Sequence, residues 1–215
     1  ASVSYAYVAN TADATISVIN TVTNEKIGSN ISSGVNQTSV AIKPDGTQMV
    51  TTSGYGLGNT IKVWSLANPE VPVVTHTLTA SGGIALGAYY TPDGQYFYAA
   101  SEEGDFSAVY VRRYLSTDPT TSAAVTGYDQ NFPAYVSFKS DSSRAYVGNV
   151  ASSTVSVVNV STNTQISTFA GGGGTGGGGT EQLWGVLQFA IWHRIFVEQQ
   201  GRMPALNEDP LDWVR

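Results

Sequence analysis

The sequence predicts an all-β protein of about four repeated units, followed by a flexible linker and a single C-terminal α-helix. Three observations support this prediction. Only 12% of the 215 residues are charged, while 41% are hydrophobic, and the abundance of Ser, Thr, Asn and Gly suits strands joined by many turns. A turn signature recurs at a fixed interval. Between the turns, apolar and polar residues alternate with the period of a β-strand.

The recurring turn is Lys43-Pro44-Asp45-Gly46, then Thr91-Pro92-Asp93-Gly94, and in a weaker form Lys139-Ser140-Asp141-Ser142. The three aspartates follow one another at intervals of 48 residues. Proline presets φ, aspartate bonds to the nearby backbone, and glycine accepts a positive φ. Each copy therefore predicts a tight turn between two strands.

Each turn is followed by a short β-rich run, then by a strand of period two, then by a more polar strand. A fourth strand precedes each turn, and the chain start repeats the pattern without that strand or its turn. In chain order, the predicted strands are 6–10, 15–19, 25–28, 39–42, 49–52, 60–64, 73–78, 87–90, 97–100, 108–112, 123–126, 135–138, 145–149, 154–158 and 164–169.

Four strands in each unit of about 45 residues are typical of the blades of a β-propeller. Residues 1–170 are therefore predicted to form a partial or small propeller of about four blades, the first of them incomplete. Such a segment leaves two raw edges unless it closes. Two copies could close a ring together, the four blades could close alone, or another element could finish the ring.

The repeat resembles the YVTN family of β-propellers, in which a Tyr-Val-x-Asn strand follows the Pro-Asp-Gly turn. Tyr7-Val8-Ala9-Asn10 and Tyr146-Val147-Gly148-Asn149 carry the resemblance, and residues 15–21 and 154–160 match the family's second core strand. The two middle units depart from the motif. Propellers of this family usually close with seven blades, and they look like lactonase-type propellers in fold.

The first 170 residues are followed by a linker, Gly171 to Thr180, with the sequence GGGGTGGGGT. The tandem repetition of one unit indicates an engineered linker, with a natural glycine-rich hinge as the alternative. The tail, residues 181–215, is predicted to begin with a helix over 181–200, which Thr180 caps. Apolar residues cover nearly its whole circumference, so it must be buried to be stable. Its predicted binding anchors are Trp184, Leu187, Ile191, Trp192 and Phe196.

The stretch from Leu183 to Phe196 resembles the C-terminal tail of asparagine synthetase-like amidotransferases. Neither the pyrophosphatase loop nor the N-terminal cysteine nucleophile of that family is present in the sequence. The resemblance therefore implies no enzyme activity. It suggests a peptide borrowed from another protein and tethered here at high effective concentration.

Composition excludes several functions. The net charge of −6 provides no basic stripe for nucleic acid, and no apolar run reaches the roughly 18 residues that span a membrane. There are no cysteines, and the two histidines lack neighbours at ligand spacing, so no metal site or cofactor is predicted.

Four loop aromatics, Tyr55, Phe106, Tyr128 and Phe132, are predicted to be exposed contacts for a ligand, with packing as the alternative. The acidic group Glu102, Glu103 and Asp105 lacks a calcium-loop pattern and is expected to be solvated. Arg112 and Arg113 could pair with that group or contact a carboxylate ligand. No catalytic residue is predicted, because the sequence offers no spacing that suits a triad.

The predicted function is a non-enzymatic binding or structural scaffold. It would be an engineered fusion of a propeller with a tethered helical peptide that docks on it or mediates assembly. The expected partner is a protein or peptide, or a second copy that completes the ring. A propeller enzyme of lactonase type and a cell-surface structural repeat are the alternatives. Low charge and absence of cysteine resemble secreted surface-layer propellers, which favours an extracellular or cell-surface location.

Overall fold

The computed structural model describes residues 4–53, 59–80, 84–102, 109–129 and 132–170. This part of the chain is all-β and forms four antiparallel sheets. It contains fifteen strands, and each coincides with a predicted one. The linker, the predicted helix over 181–200 and the rest of the tail lie outside the described residues.

The first two sheets use consecutive strands in simple meander order. The first sheet has three strands and lacks the strand that begins each of the other sheets. The first sheet contains β1 (Tyr5–Asn10), β2 (Thr15–Asn20) and β3 (Glu25–Ser32); the second contains β4 (Ser39–Ile42), β5 (Gln48–Thr52), β6 (Thr60–Ser65) and β7 (Val73–Thr79).

The third and fourth sheets repeat the four-stranded order of the second. The third contains β8 (Ile84–Tyr90), β9 (Tyr96–Glu102), β10 (Val109–Leu115) and β11 (Ser122–Ala124). The fourth contains β12 (Pro133–Phe138), β13 (Arg144–Asn149), β14 (Thr154–Asn159) and β15 (Thr164–Ala170).

The predicted turns connect the first and second strands of the three complete sheets. In the first of them, Gly46 N–H donates to the Lys43 carbonyl over 2.8 Å, and Asp45 Oδ1 accepts from Thr47 N–H over 3.0 Å. Gly46 adopts a φ of 72°. In the weak copy, Ser142 takes the same left-handed position with a φ of 59°. The Ser142 hydroxyl also accepts a hydrogen bond from Asp93 N–H, 3.0 Å away in the preceding turn.

The sheets stack in sequence order, with one hydrophobic core between each consecutive pair. Tyr7 and Ile16 of the first sheet pack with Met49 and Trp64 of the second. The first strands of the complete sheets also touch one another in order, because β4 contacts β8 and β8 contacts β12, while β1 contacts β4. The sheets therefore follow one another in chain order, with the first strands of neighbouring sheets in contact.

The core between the second and third sheets contains an aromatic row that runs across three strands. Phe97 stacks on Tyr114 with ring centroids 4.8 Å apart, and Tyr90 meets the edge of Phe97 at 5.6 Å. On the other side of the third sheet, Tyr98 packs with Phe138 of the fourth sheet. Adjacent residues of β9 therefore serve two different cores, as the alternation of a strand requires.

In the first and fourth sheets, the asparagine of the Tyr-Val-x-Asn strand forms hydrogen bonds across the hairpin to the next strand. Asn10 Nδ2 donates to Thr15 Oγ1 and Ser17 Oγ, at 3.1 and 2.8 Å. Asn149 makes the equivalent bonds in the fourth sheet. In the second sheet, Ser53 takes this position and exchanges hydrogen bonds with the backbone of Thr60 instead. The second unit thus departs from the Tyr-Val-x-Asn motif, and a serine rather than an asparagine bonds across its hairpin.

Candidate functional site

Two of the four predicted loop aromatics fall within the described residues, and both are partly buried. Tyr128 packs against the core between the third and fourth sheets, and its hydroxyl donates to Asn149 Oδ1. Burial raises the pKa of the Tyr128 hydroxyl far above its ordinary value. Tyr128 is therefore less exposed than expected, and its role as a ligand contact stays a prediction, with packing as the alternative. Phe132 has a φ of 57°, and its carbonyl accepts from Val150 N–H over 2.9 Å.

The other predicted contacts cannot be placed. Tyr55 and Phe106 lie outside the described residues, as do the tail anchors Trp184, Leu187, Ile191, Trp192 and Phe196. Their roles stay predictions.

The outer face of the fourth sheet is the side turned away from the third sheet, and it exposes large apolar side chains. Strand register places Tyr135, Gly148, Val155 and Phe169 in one row across this face. Tyr135 is 39% exposed and Phe169 is 42% exposed. Sequence periodicity placed these residues on strands, but it could not show that no other described sheet packs on this face. Exposed large apolar side chains on one face of a sheet are typical of a docking surface.

The outer face of the first sheet, turned away from the second, has a different character. It exposes Val8, but it also carries polar side chains that are bonded to one another. Ser17 Oγ donates to Asn30 Oδ1 over 3.0 Å, and Lys26 Nζ donates to the same oxygen over 3.1 Å. Water satisfies such a face, so it needs no protein cover.

A third candidate is a cleft of about 420 Å³ between β7 of the second sheet and β10–β11 of the third. Its lining is mainly polar and includes Thr77, Leu78 and Thr79 on one side and Arg112, Tyr114 and Ser122 on the other. Arg112 Nη1 donates to Ser122 Oγ over 3.2 Å, while the buried Nε has no hydrogen-bond partner. The sequence suggested a carboxylate contact for Arg112, but only the stacking of two sheets creates the opposite wall.

Arg113 is turned to the other face of β10 and has a structural role. Its Nη1 donates to the Val160 carbonyl, and its guanidinium lies 4.4 Å from the centroid of the Tyr96 ring. It thereby ties the third sheet to the fourth. Of the acidic group predicted to pair with it, Glu103, Asp105 and the Glu102 side chain lie outside the described part of the chain.

In the described ranges, no group of three or more histidine, cysteine or acidic side chains is arranged to hold a metal ion. Within the same ranges, no helix is long and apolar enough to cross a membrane.

Comparison with known proteins does not identify the chain: no protein-family model matches it, and no curated protein matches it. The resemblances to YVTN propellers and to an amidotransferase tail therefore stay predictions, carried by the residues named above.

Proposed function

We propose that residues 4–170 are consecutive blades of a YVTN-type β-propeller and serve as a non-enzymatic binding scaffold. The support is the order of the sheets. First strands β4, β8 and β12 contact in succession, as inner strands do around a propeller axis. The hydrophobic cores lie between consecutive sheets rather than within one closed barrel.

The outer face of the fourth sheet is the binding surface of this scaffold, and the tail is its ligand. The observation that carries this proposal is the apolar row on this face, in which the large side chain of Tyr135 is 39% exposed. β15 is part of this sheet and ends at Ala170, where the ten-residue linker starts. A linker of that composition and length would keep the tail at an effective concentration of about millimolar beside the face. The tail sequence is rich in the aromatic residues that dominate such contacts.

The test is the solution mass, measured by light scattering after size exclusion, of the full chain and of a chain that ends at Ala170. The full chain is expected to be monomeric, because the tail covers the face within the same molecule. The shortened chain is expected to dimerise or aggregate, because its apolar face is open. The full-length double variant Trp184→Ser/Trp192→Ser should behave like the shortened chain.

Two variants of the shortened chain locate the surface. Phe169→Ser should restore the monomer, since it removes apolar area from the outer face of the fourth sheet. Val8→Ser is the matched control, because Val8 is equally exposed but lies on the first sheet, and it should leave the association unchanged. The proposal fails if both chain lengths are monomeric at the same concentration. It also fails if Val8→Ser abolishes association and Phe169→Ser does not.

A further inference from the structure

We propose that Gln48, Tyr90 and Ser116 bind a water molecule between the second and third sheets. The site lies at the turn end of this interface, the end at which the Pro-Asp-Gly turns connect the strands. It is distinct from the outer face of the fourth sheet, and it depends neither on the tail nor on closure of a propeller ring. Three buried polar atoms and a comparison with the next interface carry the inference.

Each of the three side chains has a buried polar atom that makes no hydrogen bond within the described part of the chain. These atoms are Gln48 Oε1, the Tyr90 hydroxyl and the Ser116 hydroxyl. Tyr90 is 8% exposed and Ser116 is 1% exposed. A buried polar group without a partner is costly, and such groups are normally paired with protein or with ordered water.

Strand alternation turns all three side chains into the same interface. Gln48 lies two residues before Val50 in β5, and Val50 is buried in the core between the second and third sheets. Tyr90 belongs to that core itself. Ser116 follows the end of β10 and lies two residues after Tyr114, which is another member of the core. The three polar atoms therefore face one another across two sheets.

Ser116 has a counterpart in the fourth sheet, Val160. The Ser116 N–H donates over 2.9 Å to the carbonyl of Gln95, the residue before β9. The Val160 N–H donates in the same way, over 3.2 Å, to the carbonyl of Ser143, the residue before β13. The two residues therefore occupy the same place in their sheets, directly after the third strand.

The other two side chains have counterparts 48 residues further along the chain. Gln48 corresponds to Tyr96 at the start of a second strand, and Tyr90 corresponds to Phe138 at the end of a first strand. Phe138 and Val160 lie in the core between the third and fourth sheets, and Tyr96 packs against that core. Because the counterparts meet in one cluster, the repeat brings the three polar side chains together in the preceding interface.

The polar interface has more room at this point than the next one. Between the third and fourth sheets, the Arg113 guanidinium donates to the Val160 carbonyl and lies 4.4 Å from the centroid of the Tyr96 ring. Strand register makes Val63 the counterpart of Arg113, and valine is much shorter than arginine. Glutamine and serine are likewise smaller than the tyrosine and valine to which they correspond, while Tyr90 adds only a hydroxyl to the ring of its counterpart.

The three groups provide the partners that one buried water needs. Gln48 Oε1 accepts a hydrogen bond, and each hydroxyl can both donate and accept. Burial raises the pKa of the Tyr90 hydroxyl above its ordinary value, so this group remains a donor. A water that accepts from Tyr90 and donates to Gln48 Oε1 and Ser116 Oγ makes about the usual number of bonds for a buried water. It joins the second sheet to the third, as Arg113 joins the third to the fourth.

The test is oxygen-17 magnetic relaxation dispersion of the full chain, which counts the water molecules that stay bound far longer than surface water. The double variant Tyr90→Phe/Ser116→Val installs the apolar residues of the next interface, and it should lower this count by one. Tyr114→Phe is the matched control, because Tyr114 lies in the same core but lines the cleft between β7 and β10–β11. It should leave the count unchanged. A count that the double variant does not lower, or that Tyr114→Phe lowers equally, would overturn the proposal.

Urea unfolding of single variants gives a second test that does not depend on the count. Tyr90→Phe should lower the urea midpoint, because it removes a hydrogen bond to the bound water. If no water were bound, the Tyr90 hydroxyl would be buried and unsatisfied, and its removal would raise the midpoint. Ser116→Ala should lower the midpoint less in the Tyr90→Phe background than alone, because one water serves both hydroxyls. A raised midpoint for Tyr90→Phe, or additive losses, would overturn the proposal.

Discussion

Asn149 should be among the most costly polar residues to replace in this fold. Its side chain is only 2% exposed and makes three hydrogen bonds. Nδ2 donates to Thr154 Oγ1 over 3.0 Å and to Ser156 Oγ over 2.9 Å, and Oδ1 accepts from the Tyr128 hydroxyl. Replacement by alanine would break all three bonds and leave the Tyr128 hydroxyl buried without a partner.

The magnitude follows from those contacts. A hydrogen bond contributes about 1 kcal/mol net, and an unsatisfied buried group costs about 1–3 kcal/mol. Asn149→Ala should therefore lower the free energy of unfolding by about 3 kcal/mol. Asn10 is the matched control, because it makes the same two donor bonds in the first sheet but is only half-buried and has no tyrosine partner. Asn10→Ala should cost about 1–2 kcal/mol.

Urea unfolding of the full chain, followed by far-ultraviolet circular dichroism, measures both values. A double-mutant cycle with Tyr128→Phe isolates the bond between Tyr128 and Asn149, and it should give a coupling of about 1 kcal/mol. The reasoning would be refuted if Asn149→Ala cost no more than Asn10→Ala. A coupling indistinguishable from zero would refute the role given to Tyr128.

Three further predictions concern the turns and the core. Gly46→Ala should cost about 1 kcal/mol in urea unfolding, because a Cβ there meets no neighbour but a φ of 72° strains alanine; an unchanged midpoint would contradict this. The hydrogen bond from Lys43 is the main reason that the pKa of Asp45 falls to about 2. The stabilisation that ionised Asp45 gives the folded state is therefore complete above the unfolded pKa near 3.9, and it is lost as pH falls towards 2. Asp45→Asn should remove that part of the acid dependence of the thermal midpoint, a loss of less than about 1 kcal/mol for this exposed pair. Trp64→Phe should cost about 2–3 kcal/mol in urea, since the indole N–H donates to buried Thr51 Oγ1 over 2.9 Å; a cost equal to that of an exposed Val73→Ala change would show that this bond contributes nothing.

The strands and turns could be predicted from the sequence because local chemistry determines them. Alternation fixes the extended runs, and Pro44, Asp45 and Gly46 each favour the turn that the structure shows. The sequence also predicted that the first unit lacks one strand, and the first sheet has three strands. A missing strand interrupts the sequence repeat, so it can be detected without knowledge of the tertiary structure.

The sequence could not predict which faces of each sheet are buried, because burial depends on neighbouring sheets that are far away in the chain. The run from Phe97 to Ala100 in β9 is buried on both faces, since a sheet lies on either side of it. In β13, buried and partly buried residues alternate, since the third sheet is the one described sheet that packs against it. Tyr128 is less exposed than its loop position suggested for the same reason, since the fourth sheet supplies Asn149 beside it. The cleft at Arg112 likewise needs two sheets to exist.

The chemistry of the two outer faces bears on how copies of the shortened chain would associate. Closing a ring head to tail would press the first sheet's outer face, with Lys26 bonded to Asn30, against Tyr135 and Phe169 of the fourth. That contact would desolvate an ammonium group without giving it a carboxylate, which is costly. Pairing two fourth-sheet faces buries apolar area on both sides and leaves the polar faces in water. Such a contact is isologous and stops at two copies, whereas a head-to-tail contact continues to rings or fibres. The shortened chain should therefore give a dimer as its limiting mass, and a larger closed ring would show that the first-sheet face takes part.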